Sequence, residues 1–253
     1  MKIHYTQRGA GREALVFVHG WACDATFWKA QVGAFGDGMR VVAIDLPGHG
    51  ESDHPEIEYN MTLHARAIDA VLRDAKIERA TLVGHSNGTP VIRQFYRMFP
   101  EKTRALVIVD GALRPFAPRE MMEKFIAPMR GPGFREYAAG LADMMLRPMK
   151  DEAARAEIKA AMARAPQQVC VSEMESLLRP EFWTEETIAV PTLVILAKQP
   201  GWTADYEQFV RKLVPDLDYQ VWEGVSHFLM IDQPERFNAA VAKFLADKNL
   251  TTR

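Results

Sequence analysis

The sequence predicts an α/β protein: a doubly wound, mostly parallel sheet with a helical segment inserted between two of its strands. Three observations carry that expectation. Short, unbroken apolar runs alternate with stretches of helical spacing over residues 1–112. The alternation stops over 113–186, where Pro115, Pro118, Pro128, Pro132, Pro148 and Pro166 break up segments rich in Ala, Glu, Lys and Arg. It resumes over 187–253. The predicted organisation is a core made of 1–112 and 187–253, with about four short helices in the insertion at 113–186.

Taken in order, Ile3 to Gln7 reads as an edge strand, turned by Arg8-Gly9-Ala10-Gly11. Ala14 to Val18 and Val41 to Ile44 are apolar throughout, as strands buried on both faces must be. Between them Phe27, Trp28, Val32 and Phe35 fall at helical spacing. A helix is expected over Met61 to Ala75, with Asn60 as its N-cap and Leu63, Ala67, Ala70 and Val71 on one face. Ala80 to Val83 and Ala105 to Val109 are further buried strands. After the insertion come a strand at Thr192 to Leu196, a helix at about Ala204 to Leu213, a strand at Leu217 to Trp222 and a closing helix from Pro234 to Ala246.

Composition narrows the function classes. The chain has 253 residues, 48% hydrophobic and 25% charged, with a formal net charge of -2, so no electrostatic footprint points to nucleic acid or an anionic membrane. Apolar runs reach only about five residues, far short of a membrane span. Met1-Lys2-Ile3-His4-Tyr5 lacks a signal-peptide core, and Cys23 and Cys170 make no disulfide framework, so a cytoplasmic protein is expected. No metal-ligand motif and no glycine-rich phosphate loop after the first strand occur, and no cofactor is expected. The state expected is a monomer or homodimer.

The chemistry centres on Gly84-His85-Ser86-Asn87-Gly88. It follows an apolar strand and precedes Val91, Ile92, Phe95, Met98 and Phe99 at helical spacing, and strand, sharp turn, helix is the context that gives G-x-S-x-G meaning. Such a turn lifts a serine hydroxyl to the carboxyl edge of a sheet, beside the free N–H groups of a helix N-terminus. With His19-Gly20, Asp45-Leu46-Pro47-Gly48-His49-Gly50-Glu51-Ser52 and Gly224-Val225-Ser226-His227-Phe228, this elbow completes four motifs in one order. Over nearly its whole length the chain resembles the α/β-hydrolases, and the resemblance implies that the insertion is a helical cap over the sheet's carboxyl edge.

On that resemblance Ser86 is the nucleophile and His227 the base, since an isolated hydroxyl is too weak an acid to attack a carbonyl unaided. Main-chain N–H groups of Trp21 and Asn87 are the expected oxyanion donors. The third member is open, because the family's commonest place for it reads Ala197-Lys198-Gln199-Pro200-Gly201-Trp202, without a carboxylate. Some relatives carry the acid one strand earlier, where Asp110 stands; Asp205 is the second choice, and a dyad or a more distant acid is a third.

Eight of the thirteen methionines fall in the insertion, which together with Phe116, Phe125, Phe134, Phe182 and Trp183 favours an apolar acyl or aryl substrate. The expected function is hydrolysis of small to medium carboxylic esters or lactones through an acyl-enzyme. Two alternatives use the same fold. One is carbon–carbon bond cleavage in a keto acid, for which Arg114, Arg119 and Arg147 are available as carboxylate clamps. The other is a slow-turnover small-molecule receptor. Ser86 at the elbow, rather than an aspartate, argues against haloalkane dehalogenase or epoxide hydrolase chemistry.

Overall fold

Seven strands form one sheet in the order β1-β3-β2-β4-β5-β6-β7 in the computed structural model, which describes residues 1–251. The strands are β1 (Tyr5–Arg8), β2 (Glu13–Val18), β3 (Val41–Ile44), β4 (Arg79–His85), β5 (Thr103–Val109), β6 (Thr192–Ala197) and β7 (Leu217–Trp222). Every pairing is parallel except that of β1 with β3. The apolar runs are buried on both faces: Leu15 to Val18, Val41 to Ile44 and Ala105 to Val109 are all 0% exposed. β1 is shorter at its start than the sequence suggests. Pairing begins at Tyr5 opposite Ile44, while the His4 ring turns aside to Asp45 Oδ2 at 2.6 Å.

The helices of the core are α1 (Lys29–Phe35), α2 (Met61–Asp74), α3 (Gly88–Met98) and, after β6, α8 (Ala204–Leu213), α9 (Leu229–Asp232) and α10 (Pro234–Asp247). Asn60 caps α2 through its side chain, which accepts from Leu63 N at 2.9 Å. From β2 the chain steps outward to β3, then crosses back over β2 to β4 on the other side. Right-handed crossovers in opposite directions put their helices on opposite faces of the sheet. Accordingly α1 packs with α10, and α2 packs with α3. The reversal leaves a crevice at the carboxyl ends of β2 and β4, where open α/β sheets bind ligands.

Between β5 and β6 the chain is helical: α4 (Arg119–Ile126), α5 (Phe134–Met145), α6 (Glu152–Met162) and α7 (Gln167–Ser176), with 3-10 turns at Ala127–Arg130 and Pro180–Trp183. Arg93 of α3, 2% exposed, ties down both ends of this segment. Its guanidinium donates to Leu113 O at 2.6 Å and also to Thr184 O.

Candidate active site

Ser86 follows β4 directly, in the left-handed region at φ 51°. Steric closeness explains the glycines around it. A Cβ on Gly84 would stand 2.6 Å from Gly88 O, and one on Gly88 would stand 2.7 Å from Val18 O, so strand, turn and helix meet only without those side chains. A Cβ on Gly20 would lie 3.0 Å from Ser86 Cβ, which is how the loop after β2 reaches the elbow. Ala22 (φ 57°) and Asp110 (φ 42°) are also left-handed, so three of the five non-glycine residues with positive φ among the described residues gather here. Each such residue costs about 1–3 kcal/mol and persists where its surroundings overdetermine it.

Adjacent strands bring the side chains together. β2 pairs with β4 and β4 with β5, so the residues that follow Val18, His85 and Val109 share one edge. His227 arrives from the loop after β7, and its Nδ1–H donates to Asp110 Oδ2 at 2.6 Å. The other carboxylate oxygen, Oδ1, accepts from Ala197 N at 2.9 Å and from Trp202 Nε1 at 3.0 Å. Three hydrogen bonds, spread over both oxygens of this buried carboxylate, hold Asp110 in one orientation. With Nδ1 donating, Nε2 is the basic nitrogen left to His227.

Asp205, the second candidate for the acid, is not brought to His227. It lies in the first turn of α8, exposed, with Arg114 Nη2 donating to its Oδ2 at 2.5 Å. The helix begins at Ala204, capped by Thr203, and so carries Asp205 away from the strand end.

The loop of His227 is pinned by its neighbours. His85 Nε2–H donates to the His227 carbonyl at 3.0 Å, and His227 N donates to Met145 O of α5 at 3.2 Å. Burial pushes the His85 imidazole well below its ordinary value, so it acts as a neutral strut. His19 is likewise buried and lowered; its Nε2 accepts from Leu46 N at 3.0 Å and its Nδ1–H donates to Gly20 O at 2.9 Å, fixing the tautomer and the loop. Asp45 and Ser52 serve the turn between them. Asp45 accepts from Ala25 N and Glu51 N, and Ser52 Oγ donates to Asp45 O at 2.6 Å. The main-chain N–H groups of Trp21 and Asn87 find no acceptor among the described residues, and both residues face the cavity.

That cavity holds about 430 Å³ and is lined by Ser86, Asp110 and His227 together with side chains of the helical segment. Met129, Met144, Met145, Met174, Phe125 and Trp183 line it, and Trp202 forms part of the wall. The methionine bias divides by role: Met122, Met149 and Met162 are buried away from the cavity, and Met121 is 60% exposed. Of the three arginines considered as clamps only Arg114 reaches the cavity. Among the described residues, no group of three or more His, Cys, Asp or Glu could hold a metal ion, and no helix is long and apolar enough to cross a membrane.

A model of the alpha/beta hydrolase family matches residues 15–240. The chain belongs to that family. Among similar proteins, 3-oxoadipate enol-lactonase 2 of Acinetobacter baylyi is 25% identical over 248 residues, covering 92% of this chain and 88% of that one. A 2-hydroxy-6-oxononadienedioate/2-hydroxy-6-oxononatrienedioate hydrolase of Paraburkholderia phymatum is 38% identical over 116 residues, a match that spans 44% of this chain and only 40% of the relative. The structure of a thermophilic esterase from Thermogutta terrifontis superposes with a TM-score of 0.84 at 22% identity, covering 99% of this chain and 94% of that one.

The sequence reading missed Trp202 and the strut role of His85. An indole N–H aimed at a carboxylate from five residues past a strand has no sequence pattern. The missing aspartate after β6 was the available signal, because Trp202 and Ala197 N now supply donors to an acid placed one strand earlier.

Proposed function

We propose that this alpha/beta hydrolase is a cofactor-independent serine hydrolase of small to medium, apolar carboxylic esters or lactones. Ser86 Oγ attacks the carbonyl carbon as His227 Nε2 takes its proton. Asp110 keeps the imidazole in the required tautomer and stabilises the imidazolium. The carbonyl oxygen, now an oxyanion, is met by the N–H groups of Asn87 and Trp21, beneath a helical cap formed by the 113–186 insertion. Collapse expels the alcohol, which takes the proton from His227, and leaves an acyl-enzyme. Water then gives a proton to His227 and attacks the acyl carbon; the acid departs and Ser86 regains its proton.

The observation that carries this reading is the 2.6 Å pair of His227 Nδ1 and Asp110 Oδ2 beside a left-handed Ser86 at the foot of an apolar cavity. The lactonase relative supports the substrate class, and the cavity size suits a ligand of modest length. Steady-state hydrolysis of p-nitrophenyl esters from C2 to C12 tests it: multiple turnovers are expected, with an optimum among the shorter chains. No turnover of any ester or lactone by folded protein would overturn it.

The match to the Paraburkholderia hydrolase favours a second reading, carbon–carbon bond cleavage in a keto acid by the same residues. Such a substrate needs a cation for its carboxylate. Arg114 already has Asp205 as its partner and stacks over Tyr206 and Phe209, which weighs toward neutral esters. Turnover of a vinylogous keto acid exceeding that of every ester would reverse the order.

A further inference from the structure

One helix of the insertion, α7, touches both residues given the oxyanion role. The carbonyl of Cys170 accepts from Trp21 Nε1 at 3.0 Å. Three residues on, Glu173 Oε2 accepts from Asn87 Nδ2 at 3.5 Å. Glu173 is 1% exposed, and the core surrounds it with imidazoles. His64 Nε2 of α2 lies 2.8 Å from its Oε1, and His49 Nε2, from the loop after β3, lies 3.6 Å from its Oε2. Tyr59, Cys23 and Cys170 are the other titratable groups whose charge or burial is felt there. The same helix is pinned beside this group by Ser172, whose Oγ accepts from Tyr59 N at 2.7 Å.

Packing alone does not account for an acid in this place. A carboxyl withdrawn from water costs several kcal/mol unless its partners restore that energy, and here they do so incompletely. His49 Nε2, both nitrogens of His64, Asn87 Oδ1 and Glu173 Oε1 lack a well-directed hydrogen bond. A leucine would seat α7 without burying a carboxyl, but would leave Asn87 Nδ2 without its acceptor. What the acid provides that a leucine does not is an acceptor for the side chain of Asn87, the residue that follows the nucleophile and opens α3.

Building on the acyl-transfer reading above, we propose that Glu173 is a positioning residue of the oxyanion site. His49 and His64 pack against its carboxyl, and the carboxyl holds the Asn87 side chain. The Asn87 N–H is thereby aimed at the developing charge, while the Cys170 carbonyl does the same service for Trp21. Seating of α7 and assembly of the oxyanion site are then one event.

The test compares Glu173→Gln with Glu173→Leu. Glutamine keeps an oxygen to accept from Asn87 and an N–H for His64; leucine keeps neither. On p-nitrophenyl esters, with active sites counted by phosphonate titration, E173L is expected to lose at least about tenfold in kcat with KM within about threefold. E173Q should restore most of that loss. A helix brace without a positioning role would lower Tm but leave kcat per titrated site unchanged, and that result would overturn the proposal. Should E173L fail to fold, Asn87→Ala breaks the same contact from the other side, and wild-type kcat in N87A would overturn it equally. A second readout does not need turnover. In protein labelled with 15N-asparagine, the Asn87 main-chain amide should move in E173L and return in E173Q; an unmoved amide in E173L refutes the positioning role even if the ester reading also fails.

Discussion

At the scale of single residues, Asp110 is the junction of the site. One oxygen serves His227 and the other is held by two N–H donors. Asp110→Asn would force the wrong imidazole tautomer, and a loss of about 10³–10⁴ in kcat is expected. Asp205→Asn, at an exposed ion pair, should leave kcat within about twofold of wild type. Measuring both variants on one ester decides which acid matters. Trp202→Phe keeps an aromatic wall on the cavity but removes one donor to Asp110. A bond to a charged acceptor contributes about 1.5–3 kcal/mol, so kcat should fall at least about tenfold while KM changes little. A rise in KM alone would make Trp202 a wall and nothing more.

Among the elements, the two crossings between core and insertion share one buried tie, Arg93. Arg93 is fully inside the protein, and burial lowers its guanidinium to about 10, still charged at neutral pH. Its two acceptors, Leu113 O and Thr184 O, sit at the exit from and the return to the sheet. Arg93→Met leaves both carbonyls without that donor, and denaturant unfolding should show a loss of about 3 kcal/mol. A loss below about 1 kcal/mol would mean that the crossings are held by other contacts.

The strands and core helices were legible in the sequence because each is long, periodic and bounded. Asn60 before Met61 and Thr203 before Ala204 cap helices as their chemistry suggests. Ser86 and His227 were legible as candidates from motif and order; the carboxylate missing after β6 left Asp110 and Asp205 both open, and only the fold pairs Asp110 with His227. Glu173 was not legible. A lone acid on a short, polar helix reads as solvated, and only packing against His49 and His64, from distant parts of the chain, buries it. The short helix α9 and the 3-10 turns at 25–28, 100–102, 127–130 and 180–183 also escaped, since three or four residues carry no usable period.

At the scale of the whole molecule, four imidazoles, those of His19, His49, His64 and His85, are buried among the described residues. Burial holds His49 down to about 4 and His64 to about 3, and lowers His19 and His85 as well. As pH falls below 6.5, the ordinary histidine value, the unfolded chain takes up protons on these rings that the folded chain refuses, so stability falls toward acid. Glu173, pushed up to about 7 by burial, slopes the other way between 4.5 and 7, where the folded chain keeps a proton that the unfolded chain releases. Four histidines outweigh one carboxyl. Thermal unfolding followed from pH 8 to pH 4 should show Tm dropping below about pH 6.5. A Tm that rises toward pH 5 would place the control elsewhere.

The proposed hydrolysis requires that an acyl group pass through Ser86 Oγ. Rapid mixing with a p-nitrophenyl ester, followed by acid quench and peptide mass analysis, reads that event. A burst of nitrophenol equal to the enzyme present is expected whenever deacylation is the slower step, with the acyl mass on the peptide containing Ser86, and both should vanish in Ser86→Ala. Nitrophenol released at an undiminished rate by Ser86→Ala, with no acylated Ser86 peptide from wild type, would contradict it.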